Sequence, residues 1–187
     1  MKDLLYKPMQ FAKIKHEGQK RKVSNVPYIT HIIAVAKILE EEGADIKTII
    51  VGILHDTLED TNTTIEELTK EFGVEIAYMV DTLSEKKGLP YNDRKHMQAL
   101  RVKYACKDVK MVKCADCLSN LTDTYKDLKI YPDVWSKFNA GKQDIQKHYR
   151  EIIIAVSELK DTNIYNRLVD VYKKVFGQEE NKVLHRI

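Results

Sequence analysis

Apolar residues recur along this chain at intervals of three and four, and strict alternation of apolar with polar residues is scarce. The pattern predicts an all-α protein. A first helix covers residues 4–15, and a basic loop follows over 19–27. Pro27 opens a second helix that runs through Glu42 and is closed by Gly43. A third helix covers about 45–58, and Thr63-Thr64-Ile65-Glu66-Glu67 offers overlapping capping boxes for a short fourth that stops at Gly73. Further helical stretches are 74–84, 91–106 and 109–128, a long one over roughly 133–159 after the Tyr131-Pro132 break, and 164–176. With no repeat and no linker, residues 1–177 read as one domain and 178–187 as a polar tail.

The third helix is the most apolar. Positions 46, 49, 50, 53 and 54 give it a wide stripe, with Asp45 as its N-cap. It runs straight into His55-Asp56-Thr57-Leu58-Glu59-Asp60. On a continuing helix His55 and Glu59 share one face, and Asp56 and Asp60 the adjacent one. Carboxylates carried out of an apolar stripe cost too much to leave unpaired, so a cation is their natural partner. Imidazole beside carboxylate suits Mn²⁺, Fe²⁺ or Zn²⁺. The plainer alternative is a surface His-Asp pair followed by a solvated turn, and ligands from elsewhere decide between the two.

Two other helices offer them. On 109–128 the apolar stripe is Met111, Val112, Ala115, Leu118 and Leu121, and beside it Asp116, Asn120 and Asp123 form a polar strip. Asp116, between Ala115 and Cys117, is the acidic ligand from a separate helix that a helical metal site requires. His31 sits among Tyr28, Ile29, Ile32, Val35, Ala36 and Leu39. It is a ligand if its helix meets His55-Asp56, and otherwise a core histidine.

Composition narrows the function classes. A net charge of +3 is too small to argue for nucleic-acid binding, although Lys13, Lys15, Lys20, Arg21 and Lys22 crowd the first segment. No apolar run is long enough to span a membrane, and the N-terminus lacks a signal-peptide core. Three cysteines, Cys106, Cys114 and Cys117, fit a reduced, cytoplasmic setting. Cys114-x-x-Cys117 has no second pair to complete a zinc site and lies inside a helical pattern, so both read as small helix residues.

Pro27-Tyr28-Ile29-Thr30-His31, His55-Asp56-Thr57-Leu58-Glu59-Asp60 and Val112-Lys113-Cys114-Ala115-Asp116-Cys117-Leu118-Ser119-Asn120-Leu121, with Gly18-Gln19-Lys20-Arg21-Lys22 upstream, resemble the HD-domain hydrolases of the RelA/SpoT type. The resemblance spans roughly residues 10–125, and the length leaves no room for that family's synthetase and regulatory domains. It therefore points to the stand-alone small alarmone hydrolases. It implies an all-α HD-domain bundle of about eight helices, with His31, His55, Asp56 and Asp116 holding one Mn²⁺. Glu59 and Asp60 would position and activate the attacking water. Arg21 would lie against guanine with Lys22 nearby, Asn120 would contact the ribose region, and Lys142 and Tyr149 the far phosphates. Ile32 and Asp123 depart from the family's usual Pro and Thr. Lys86, Lys87, Arg94 and Lys95 could also reach phosphates, but read rather as a solvated charge run.

The implied activity is Mn²⁺-dependent removal of the 3′-pyrophosphate from ppGpp or pppGpp, yielding GDP or GTP and pyrophosphate, as in alarmone degradation in the stringent response. Two alternatives stay open: an HD phosphohydrolase acting on another nucleotide, including the NADPH 2′-phosphate, and a non-catalytic nucleotide- or RNA-binding protein. The Glu59-Asp60 pair argues against the last, since a binder of polyphosphate gains nothing from extra carboxylates beside the anion.

Overall fold

A computed structural model describes residues 2–86 and 88–177; the tail 178–187 and Lys87 lie outside the described residues. The chain order is α1 (Lys2–Lys15), α2 (Ile29–Glu41), α3 (Ile46–Leu54), the single turn α4 (Thr57–Asp60), α5 (Ile65–Phe72), α6 (Val74–Leu83), α7 (Tyr91–Lys103), α8 (Lys107–Asp127), α9 (Lys142–Ala155) and α10 (Asn163–Phe176). Short 3₁₀ turns at Val134–Lys137 and Ser157–Leu159 flank α9. Among the described residues there is no strand, only an isolated bridge between Lys20 and Pro27 that pinches the basic loop. The all-α expectation holds.

The apolar stripe of α3 makes it the centre of the bundle. It packs against α1, α2, α6 and α8, and Ile49, Val51, Ile53 and Leu54 are all buried. Asp45 caps it as expected, its side chain accepting from Thr48 N at 2.7 Å. Gly52 lets α2 come close: a Cβ there would meet Leu39 Cδ1 at 2.4 Å. The long α8 covers the other side of α2 and α3 and carries α10 on its back, while α9 packs across α7. Among the described residues no helix is long and apolar enough to cross a membrane.

Three expected helices are shorter in the structure. The third ends at Leu54 rather than near residue 58, and His55-Asp56 form a break before α4. Side chains take over the carbonyls there: His55 Nδ1–H donates to Gly52 O at 2.8 Å, and Thr57 Oγ1 to Leu54 O at 2.6 Å. The long helix expected over 133–159 is broken too, its α-helical part beginning at Lys142. Phe138 and Gly141 are extended, and before them Trp135, in the 3₁₀ turn, packs on Phe138 and Phe176. Finally, α7 stops at Lys103 and α8 starts at Lys107, so the break falls just before residues 107–108.

Candidate active site

The close approach of α2 and α3 puts His31 opposite His55, with Nε2 to Nε2 at 3.3 Å. Asp56 Oδ2 lies 2.9 Å from His55 Nε2 and 3.6 Å from His31 Nε2. From α8, Asp116 Oδ1 lies 3.4 Å from His31 Nε2 and 3.6 Å from His55 Nε2. Four side chains from three elements thus aim polar atoms at one small volume, and the ligand atoms of His31, His55 and Asp116 all fall within 4.8 Å of one another. The helix break is what turns Asp56 inward beside His55.

The donor set fits a divalent cation. Because a carbonyl only accepts, the bond to Gly52 holds a proton on Nδ1 of His55 and leaves Nε2 as the nitrogen that a cation would take. His31 Nδ1 is likewise engaged, with Ser119 Oγ at 3.0 Å. Burial pushes His55 toward neutrality, but Asp56 and Asp116 outweigh it and hold its pKa well above the usual imidazole range. Burial also works against the two carboxylates, yet His55 and His31 beside Asp56, and Lys113 with the histidines beside Asp116, keep both well below the usual range. Both carboxylates thus stay charged, and two imidazoles with two carboxylates are a donor set that could hold a divalent metal.

Glu59 and Asp60 stand next to this cluster on α4. Glu59 Oε2 accepts from the backbone N–H of Glu85 at 3.0 Å. Burial, then Asp56 and Glu85, push Glu59 up to about 7. Burial and Asp56 also raise Asp60. The Tyr28 hydroxyl donates to Asp56 Oδ2 at 2.6 Å and lies 3.3 Å from Asp60 Oδ2, and its burial beside these carboxylates keeps it protonated. Both carboxylates open onto a cavity of about 640 Å³ that also reaches Arg21, Lys22, Asn120 and Tyr149.

The basic loop meets α8 at one end of this cavity. Arg21 Nη2 donates to Asn120 Oδ1 at 2.6 Å and lies 3.5 Å from Asp123 Oδ2, with its guanidinium 5.6 Å from the Tyr28 ring centre. Asn120 in turn donates to Asp116 Oδ1 at 2.6 Å, so the loop is wired to the cluster through one side chain. Lys142 is not on the cavity wall; its ammonium lies 5.6 Å above the Trp135 ring.

Several cavity residues escaped the sequence reading. Arg94 and Lys95 are not a solvated run: they line the cavity, Arg94 pairing with Glu85 at 3.1 Å and Lys95 with the same carboxylate. Lys113 is buried and donates to Asp116 Oδ2 at 2.9 Å, where Asp116 outweighs the cost of burial and keeps it charged. That pair was available in the sequence as an i,i+3 match of opposite charges. Tyr28 was taken as an apolar helix position although it stands inside the motif around His31, and His148 passed unnoticed because it has no motif around it. Cys114 and Cys117 are buried free thiols, Cys117 pushed by burial up to about 12, which agrees with the structural role expected of them.

The HD domain family matches residues 9–146. A curated guanosine-3′,5′-bis(diphosphate) 3′-pyrophosphohydrolase MESH1 from Xenopus tropicalis is 36% identical over 163 residues, covering 86% of this chain and 87% of its own. Its Homo sapiens counterpart is 34% identical over 177 residues, covering 93% of each chain. A solved structure described as a metazoan ortholog of SpoT that hydrolyzes ppGpp shares the fold, with TM-score 0.75 and 24% identity over 91% of this chain and 94% of that one.

Proposed function

This chain belongs to the HD-domain family, and from that premise we propose that it is a metal-dependent hydrolase that removes the 3′-pyrophosphate from guanosine 3′,5′-bis(diphosphate) and its 5′-triphosphate analogue. The observation that carries this reading is the convergence of His31, His55, Asp56 and Asp116 on one volume, with two further carboxylates beside it on a cavity that Arg21, Lys22, Arg94 and Lys95 also line. We assign these four residues to one Mn²⁺, whose mixed nitrogen and oxygen preference matches the donors. When bound, such an ion neutralises phosphate charge and acidifies water.

The chain's own groups supply the rest. Glu59, with a carboxyl poised at about 7, is suited to take the proton of the attacking water, and Asp60, set beside the Tyr28 hydroxyl, to orient it. The water's oxygen joins phosphorus, the bond to the ribose 3′ oxygen breaks, and that oxygen leaves with a proton as the 3′ hydroxyl. Arg21 offers the nucleobase a planar face, with Lys22 beside it for phosphate charge and Asn120 near the ribose. Tyr149 lies farther along the cavity wall, where a distant phosphate would reach. Lys142 would reach that phosphate only by leaving Trp135. The free cysteines suit a reducing cytoplasm, where we place the activity.

Incubating the protein with ppGpp, pppGpp, NADPH and a nucleotide panel, with Mn²⁺ or with EDTA, tests the proposal. Release of GDP and GTP from the first two substrates, abolished by EDTA, is expected. Turnover confined to NADPH or another nucleotide, or none at all, would overturn it.

A further inference from the structure

Away from the four-residue cluster, α7 and α9 form a cavity wall made of Arg94 and Lys95 on α7 and His148 and Tyr149 on α9. The cations of this wall already have partners: Arg94 and Lys95 pair with Glu85, and the nearby Lys113 with Asp116. His148 differs. It is 7% exposed, yet its Nδ1 is sealed from solvent without a hydrogen-bond partner. Gln98 on the same wall keeps Oε1 unpartnered while its Nε2 donates to Leu83 O at 2.6 Å, so the two orphaned atoms do not satisfy each other.

A neutral imidazole carries its proton on one nitrogen only. Sealed from solvent, Nδ1 stays unsatisfied in either tautomer, at a cost of about 1–3 kcal/mol. The hydrogen bond still open to the ring is therefore the one at Nε2, the edge through which it can meet the cavity, and with the proton there the ring is a donor. Burial, with Lys95 and Lys113 nearby and only Asp116 opposing, holds the ring neutral well below the usual imidazole pKa. A neutral donor in a wall of paired cations complements an anionic oxygen.

We infer that His148 is a specificity-determining residue that donates its Nε2–H to a phosphate oxygen of the nucleotide bound against the α7–α9 wall. This rests on the proposed guanosine polyphosphate substrate. The phosphate belongs either to the 5′ chain or to the departing 3′-pyrophosphate, and the two give different kinetics.

His148→Gln keeps an N–H near the Nε2 position, whereas His148→Asn places its amide near Nδ1 and leaves Nε2 unreplaced. With the Mn²⁺-loaded enzyme and ppGpp, His148→Asn should raise KM ~10-fold or more, the worth of one hydrogen bond to a charged group. His148→Gln should recover most of that, and kcat should change little in either. His148→Ala replaces the Asn variant if the latter melts early. A loss seen with ppGpp but not with the 5′-monophosphate analogue assigns the contact to the 5′ chain. An equal loss with both, together with weaker inhibition by pyrophosphate, assigns it to the leaving group. An unchanged KM in His148→Asn, or equal losses in Asn and Gln, would overturn the inference. If the wild type hydrolyses no guanosine polyphosphate, the proposed function fails separately. Calorimetry with inorganic phosphate then decides about His148: weaker binding to the Asn than to the Gln variant supports the contact, and equal binding overturns it.

Discussion

The backbone N–H of Glu85 donates to Glu59 Oε2 at 3.0 Å, tying the carboxylate beside the histidine pair to the loop after α6. That bond fixes where Glu59 points without neutralising it, while burial beside Asp56 and Glu85 keeps its proton affinity high. A carboxylate so placed is rigid, basic and open to the cavity.

Glu59→Gln combined with Asp60→Asn keeps the shape of both side chains and removes their basicity. General acid–base catalysis is typically worth about 10²–10⁴-fold, so kcat should fall at least that far. Removing two negative charges next to a polyphosphate should leave nucleotide affinity equal or tighter. Single-turnover rates and equilibrium binding measured on the same preparation check both halves.

The pH dependence follows from the same group. Glu59 has a folded pKa of about 7 against an ordinary 4.5, so the folded state binds its proton more tightly than the unfolded chain. Its contribution to stability is fully present below pH 4.5 and is lost as pH rises through about 7. Thermal melts of EDTA-treated protein should show Glu59→Gln gaining on wild type across that window. In the metal-loaded enzyme the ion's charge favours the carboxylate, so the acid limb of kcat/KM should fall at or below pH 7 and vanish in Glu59→Gln.

His55→Ala and Asp116→Ala each remove a donor from the cluster. Replacing even an outer partner of a metal ligand costs about 10–100-fold in affinity or activity, so these losses should be at least that large. Metal content of the purified variants measures it, and stoichiometric Mn²⁺ in both would contradict the assignment.

Arg21→Lys keeps the charge but loses the flat face above Tyr28 and the fork that reaches Asn120 and Asp123. KM for guanosine substrates should rise, with a smaller change in kcat.

Gly52→Ala tests the packing beneath the site. The new Cβ would fall 2.4 Å from Leu39 Cδ1, and overpacking of this kind costs about 1–3 kcal/mol. Denaturant melts should register that loss.

Most of the helices could be read from the sequence because their apolar residues keep one face over several turns, as in α3 and α8. Asp45, Thr64 and Gly73 marked ends correctly because each acts through its own backbone or side-chain geometry. The break at His55-Asp56 could not be read that way: it depends on side chains claiming the carbonyls of Gly52 and Leu54, and periodicity carries straight across it. The convergence of His31 with Asp116 is a tertiary contact across α2 and α8, so spacing could nominate both residues but not join them. Arg94 and Lys95 were set aside as a solvated run, and His148 was missed, for a related reason. A charge run looks solvated until Glu85 and the cavity are known, and a lone histidine on an amphipathic helix has no local signature.

The central claim is that water cleaves the 3′ end of the nucleotide at a metal-dependent site, and ³¹P NMR of ppGpp incubated with the protein and Mn²⁺ tests it most directly. The account predicts that the 3′-diphosphate resonances are replaced by free pyrophosphate in equal amount to GDP, and that EDTA or Glu59→Gln with Asp60→Asn stops the conversion. Release of orthophosphate, loss of the 5′ phosphates with the 3′ end intact, or turnover indifferent to EDTA would contradict it.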